Sequence, residues 1–148
     1  MTIEAMKKAF IQTLNTQGER YVLSYEEAHE KILVVKIAGN NIPEIEVCVG
    51  FDIMLGGAIL ITVGYYEFTG FAGKREAAIE ACNEINSRIK GKCFVDDEDD
   101  VVMTTLIPFN AYGIRCEFSP EQVLLATLDM ALDADRAHPI LTAVQTAE

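Results

Sequence analysis

Ile45, Val47, Val49, Phe51 and Ile53 fall at every second position and alternate with Glu44, Glu46, Cys48, Gly50 and Asp52. A period of two is what a strand with one buried face requires, because successive side chains point to opposite sides of the pleat. The next apolar run, Ala58-Ile59-Leu60-Ile61-Thr62-Val63, follows Gly56-Gly57, and a diglycine supplies the positive φ angles of a two-residue hairpin turn. The pair predicts an antiparallel meander. With a turn of that length Ile53 faces Leu60, while Ile59, Ile61 and Val63 share the other side of the sheet with Cys48 and Met54. Both faces are then substantially apolar. Either helices cover both, or the second face is a contact surface for another subunit or a client.

The same reasoning orders the rest of the chain. Ile3, Met6, Phe10 and Leu14 lie on one helical stripe with Glu4, Lys7 and Lys8 off it, so an amphipathic helix opens the sequence and ends near Gly18. Tyr21-Val22-Leu23 and Ile32 to Ile37 read as strands joined by polar Glu26 to Lys31, of which Glu26 to Glu30 is alternatively a helical turn. Asn40, Asn41 and Pro43 mark the next turn. Ala78, Ala81, Cys82, Ile85 and Ile89 recur at helical spacing between Lys74 and Lys90; Gly91 stops that helix and Lys92 to Asp96 leaves as a strand. Val101 to Ile107 completes a hairpin whose tip is Asp96-Asp97-Glu98-Asp99-Asp100, and Tyr112 to Phe118 reads as a further short strand weakened by Gly113 and Arg115. Ser119-Pro120-Glu121-Gln122 combines a capping serine with proline at the first helical position, so a last long helix starts there. His138-Pro139 ends or kinks it, leaving 140 to 148 as a short helical turn or frayed tail. That helix is apolar over much of its circumference, through Leu124, Leu128, Ala131 and Leu132 on one stripe and Val123, Ala126 and Met130 beside it. It is either sunk between sheet and tail or a protein interface.

A chain of 148 residues, half of them apolar, suits one domain with a substantial core. The net charge of -11 repels phosphate backbones and anionic lipid, which excludes nucleic acid and membrane surfaces as expected partners and is compatible with a basic polypeptide. Cys48, Cys82, Cys93 and Cys116 form no CxxC pair and read as reduced core cysteines. No signal core is recognisable in the first residues and no apolar run approaches a bilayer span, so the expected location is cytoplasmic.

Candidate chemistry is sparse. Asp96 to Asp100 clusters carboxylates but lacks the glycine and distant glutamate of a calcium loop, so a solvated turn is expected and no metal. Gly70 to Arg75 lies between strand and helix but lacks P-loop spacing and its hydroxyl, so Lys74 and Arg75 are expected to snorkel at a helix end. His29 and His138 have no catalytic setting, and no serine sits in a nucleophile elbow. Asn83 and Asn86, three apart beside the apolar stripe, are expected to bond neighbouring backbone and specify packing.

Asn83-Glu84-Ile85-Asn86, then Gly91-Lys92-Cys93-Phe94-Val95-Asp96, a second strand and the Ser119-Pro120-Glu121 helix start resemble the YbjN-like family, described as bacterial sensory transduction regulators. The upstream helix and the meander containing Val49-Gly50-Phe51-Asp52 are similar to the same family. The resemblance implies an α+β, two-layer fold shared with type III secretion chaperones, in the order α-β-β-β-β-α-β-β-α, and it brings no catalytic or client-binding residues to carry over. Chaperones of that fold are small, acidic, cytoplasmic dimers that bind extended client segments. The expectation is therefore a single domain over 1–148, a homodimer that binds a protein partner without cofactor or catalysis, acting as regulator or chaperone-like adaptor. The interface candidates are Ile59, Ile61, Val63, Leu124, Leu128 and Met130. The alternative is a small-ligand or metal-binding domain using the acidic tip or the loop before Lys74, and an enzyme is third.

Overall fold

In a computed structural model that describes residues 1–147, the chain runs α1 (Ile3–Thr16), β1 (Val22–His29), β2 (Ile32–Ile37), β3 (Ile45–Ile53), β4 (Ile59–Phe68), α2 (Arg75–Asn86), β5 (Lys92–Val95), β6 (Val101–Phe109) and α3 (Pro120–Thr146). This is the expected α+β order. The strands form one antiparallel sheet in the spatial order β1-β2-β3-β4-β6-β5, so the late hairpin docks on the meander through β6 and leaves β5 at an edge. α1, α2 and α3 pack against one side of the sheet, where Val47, Val49, Phe51, Ile61, Val63 and Met103 are buried. No helix among the described residues is long and apolar enough to cross a membrane.

The β3–β4 register differs from expectation by one residue, and the consequence is large. Ile53 pairs with Ile59, not Leu60, because Met54 N–H bonds to Ala58 O and the loop is Leu55-Gly56-Gly57, three residues long. Both glycines take positive φ, 90° and 86°. A slip of one residue moves a whole strand's side chains to the other face. Ile59, Ile61 and Val63 therefore join Val49, Phe51 and Ile53 on the helix-covered side, opposite Cys48.

Four further expectations are corrected. β1 continues through Glu26 to His29, since an edge strand whose second half is exposed can be built from polar residues; register shifts occur at Val22/Ser24 and Glu27/His29. Tyr112 to Phe118 forms no strand, because Asn110, Tyr112 and Gly113 all adopt positive φ, incompatible with extension. Lys7 is buried, although it lies off the apolar stripe: its Nζ donates to Glu30 O in the β1–β2 turn at 2.8 Å and pairs with Glu27 Oε1 at 3.1 Å. Finally, α3 runs unbroken through Pro139 to Thr146, so 140 to 146 is neither a separate turn nor a frayed tail; Glu148 lies outside the described residues.

The reason α3 survives its proline lies in the β2–β3 loop. Proline at 139 has no N–H for the carbonyl of Asp135, four residues back. The Asn41 side chain supplies one instead, donating from Nδ2 to Asp135 O at 2.9 Å. The Asp135 carboxylate in turn accepts the backbone N–H groups of Asn40 (3.1 Å), Asn41 (2.8 Å) and Ile42 (2.9 Å), so one α3 residue satisfies the whole turn. Burial pushes the Asp135 carboxyl pKa up, but those three N–H bonds and nearby His138 outweigh it and hold it below the usual carboxylate range. Gly39 is required beside it: a Cβ there would lie 2.5 Å from both Asp135 Oδ1 and Ile42 O.

Candidate functional site

Five of the six interface candidates are interior. Ile59, Ile61, Val63, Leu124 and Met130 are buried in the common core, and only Leu128 is half-exposed. The sheet residues fail because of the register shift. The helix residues fail because α3 rests on β3, β4 and β6 through the face that carries Val123, Leu124, Met130 and Ala131. What remains outside on that helix is a stripe at i, i+3 and i+7: Leu125 and Leu132 exposed, Leu128 half-buried between them. Leu128 and Leu132 continue into a cleft of about 400 Å³ bounded by Arg20, Tyr21 and Ile37.

An open apolar area lies on the sheet face away from the helices. Ile32 and Val34 on β2, Leu60 and Tyr66 on β4, Leu106 on β6 and Phe94 on β5 point outward, and Leu106 is 51 % exposed. Residues of directly paired strands share a face, so the pairings Asp52 with Leu60, Thr62 with Leu106 and Gly64 with Cys48 place them together. The Tyr66 ring folds back over Gly64, in space a Cβ at 64 would occupy. Burial, aided by Cys48, raises the Tyr66 pKa, and burial followed by Glu67 and Glu46 raises that of the Cys48 thiol, so both present neutral groups. Lys36 pairs with Glu46 at 3.5 Å and Lys31 with Asp52 at 3.6 Å, fringing the patch with charge.

The other candidates are absorbed by structure. Asp96 Oδ1 accepts the N–H groups of Glu98 and Asp100, each at 2.9 Å, closing the β5–β6 turn. Arg75 does not merely snorkel: its Nη1 reaches Asp99 Oδ1 at 2.8 Å and Asp96 O at 2.7 Å. The loop before α2 spends its amides on the same turn, Gly70 N–H on Asp100 Oδ1 and Phe71 N–H on Asp99 O, where a phosphate would need them. Lys74 also has a specific task, donating to Gln145 O at 2.5 Å and Ala147 O at 2.7 Å, where α3's last carbonyls lack helical partners. His29 is exposed and accepts Lys31 N–H, while His138 is half-buried with Nε2 3.5 Å from Thr142 Oγ1 and its ring beside Phe68. Among the described residues no group of three or more His, Cys, Asp or Glu side chains converges as metal ligands would.

Asn86 behaves as its position suggests. Its Nδ2 donates to Cys93 O at 2.8 Å and its Oδ1 accepts Cys93 N–H at 2.7 Å, so the side chain stands in for a neighbouring strand along the free edge of β5. Of the cysteines, Cys82 and Cys93 are buried, Cys48 is half-buried and Cys116 is exposed in the loop before α3, not in a core strand. No family model and no curated protein matches the chain.

Proposed function

We propose that this chain is a non-catalytic protein-binding module, a regulator or chaperone-like adaptor of the cytoplasm, which receives a polypeptide segment on the open face of its sheet and acts as a homodimer. The observation that carries this reading is the one-sided packing: three helices cover one face, while Ile32, Leu60, Tyr66, Leu106 and Phe94 stay outside on the other. Contiguous apolar surface of this kind marks interaction sites in soluble proteins. The net charge of -11 favours a partner segment whose apolar side chains are flanked by Lys or Arg. With the sheet face given to the partner segment, the self-contact is assigned to the Leu125, Leu128 and Leu132 stripe, where Asp129 is already paired with Lys90 at 3.3 Å.

Fluorescence anisotropy with a labelled peptide of Leu and Phe flanked by lysines tests the binding face. Binding that weakens at least about tenfold in Leu60→Glu and Leu106→Glu, and for an acid-flanked version of the peptide, supports it. Equal binding by the variants, or none by the parent protein, refutes it. Light scattering tests the self-contact: a mass of twice 16.3 kDa that halves in Leu125→Glu/Leu132→Glu is expected, and a strict monomer overturns that part.

A further inference from the structure

Cys82 and Cys93 belong to different elements, α2 and β5, yet their sulfurs lie 3.4 Å apart. Three features distinguish the pair from ordinary core packing. The first is how the approach is fixed: Asn86, one turn below Cys82 on α2, clamps both backbone groups of Cys93 and so sets the height of its side chain against the helix. The second is access. A cleft of about 560 Å³, a volume larger than a small peroxide occupies, opens between α2 and β5, lined by both cysteines with Ile79, Asn83, Asn86 and Phe94. The third is asymmetry. Cys93 donates its S–H to Cys82, which holds the Cys82 thiol below its usual range, while that bond and burial push Cys93 well above it. One sulfur is thus inclined to the thiolate and the other retains its proton.

We propose that Cys82 and Cys93 are a redox-active dithiol, oxidised to an intramolecular disulfide by a small hydroperoxide that enters the α2–β5 cleft. Cys82 thiolate attacks one peroxide oxygen; the O–O bond breaks, Cys82 becomes a sulfenic acid, and the departing alkoxide or hydroxide takes up a proton. The Cys93 sulfur then attacks Cys82 sulfur, the S–O bond breaks, and hydroxide leaves with the Cys93 proton as water. Two thiols and one hydroperoxide give one disulfide, one alcohol (or water, from hydrogen peroxide) and one water. A disulfide spans about 2.05 Å, so the sulfurs, 3.4 Å apart, need to close by roughly 1.4 Å. An external thiol restores the pair by exchange.

The test is peptide mapping of the whole reduced protein after brief exposure to hydrogen peroxide, followed by alkylation under denaturing conditions. The expected result is a linked species joining the tryptic peptides Glu76–Arg88 and Cys93–Arg115, lighter than their sum by two hydrogens, with alkylation lost at Cys82 and Cys93 and kept at Cys48. In Cys93→Ser the reaction is expected to stop at a Cys82 sulfenic acid trapped by dimedone. Full alkylation of both cysteines in the peroxide-treated parent, or linkage through Cys116 alone, overturns the proposal; because the decisive map is made on the unsubstituted chain, it does not depend on the variant folding.

Discussion

Replacing Asp135 by alanine is expected to be among the most damaging single changes in this protein. The carboxylate accepts three backbone N–H groups across the β2–β3 turn, and Ile42 N–H is buried with no access to replacement solvent. Hydrogen bonds to a charged acceptor contribute about 1.5–3 kcal/mol each. They do not add fully here, because water can enter the turn near Asn40 once the side chain is gone, so the expected loss is about 3–5 kcal/mol. Against a total of about 5–15 kcal/mol for a domain, that is a large share. Urea unfolding followed by far-UV circular dichroism measures it; the chain has no Trp, so tyrosine emission is the second probe. The pH dependence has a definite sign. The folded pKa of Asp135 lies below its unfolded value, so its contribution is fully present above the ordinary carboxylate pKa of about 3.9 and is lost as pH falls through the folded pKa. The stability gap between parent and variant should therefore narrow as the pH falls below about 4. Asp133, whose pKa burial raises, is common to both proteins and cancels in the difference. A loss under about 1 kcal/mol, or a gap unchanged on acidification, would refute the assignment of Asp135 as the anchor of the turn.

Asn41→Ala is expected to cost about 1–2 kcal/mol, and less in a Pro139→Ala background where residue 139 regains an N–H for the Asp135 carbonyl; a double-mutant cycle with no coupling would contradict this. Gly39→Ala should lower stability by about 1–3 kcal/mol in the same unfolding assay, since its Cβ meets Ile42 backbone at 2.5 Å and no rotamer change relieves that contact. Asn86→Ala should abolish slow hydrogen exchange at the Cys93 amide and slow peroxide-driven closure of the Cys82–Cys93 pair, while leaving exchange in β3 unchanged.

Element order was readable because each element carries a local signal: the period-two run of β3, the Ser119-Pro120 helix start, the α2 stripe from Ala78 to Ile85. The errors cluster where a distant partner decides. Pro139 stays helical because Asn41, far away in sequence, bonds the carbonyl it frees, and no local pattern announces that. Glu26 to His29 of β1 reads as a connection because an exposed edge strand need not alternate in hydrophobicity. The interface candidates are among the most apolar residues, which are also those a core takes first; Leu106 and Leu125, less conspicuous in their runs, are among those left outside. The Cys82 and Cys93 approach was hidden for the same reason, since it depends on a helix and an edge strand meeting at one height.

The hairpin loop Leu55-Gly56-Gly57 looks like the most dispensable part of the molecule, being solvent-exposed and free of long-range bonds. Its closing pair nevertheless sets the parity of β4: a register slipped by one residue, with Leu55 rather than Met54 opposite Ala58, would turn Ile61 and Val63 toward water and Leu60, Thr62 and Tyr66 toward the helices. Surface loops usually accept insertions and deletions; this one should accept substitution at Leu55 freely, and a change of length wherever Met54 still meets Ala58 across the turn, because that pairing and not the loop itself keeps the core face of β4 inside.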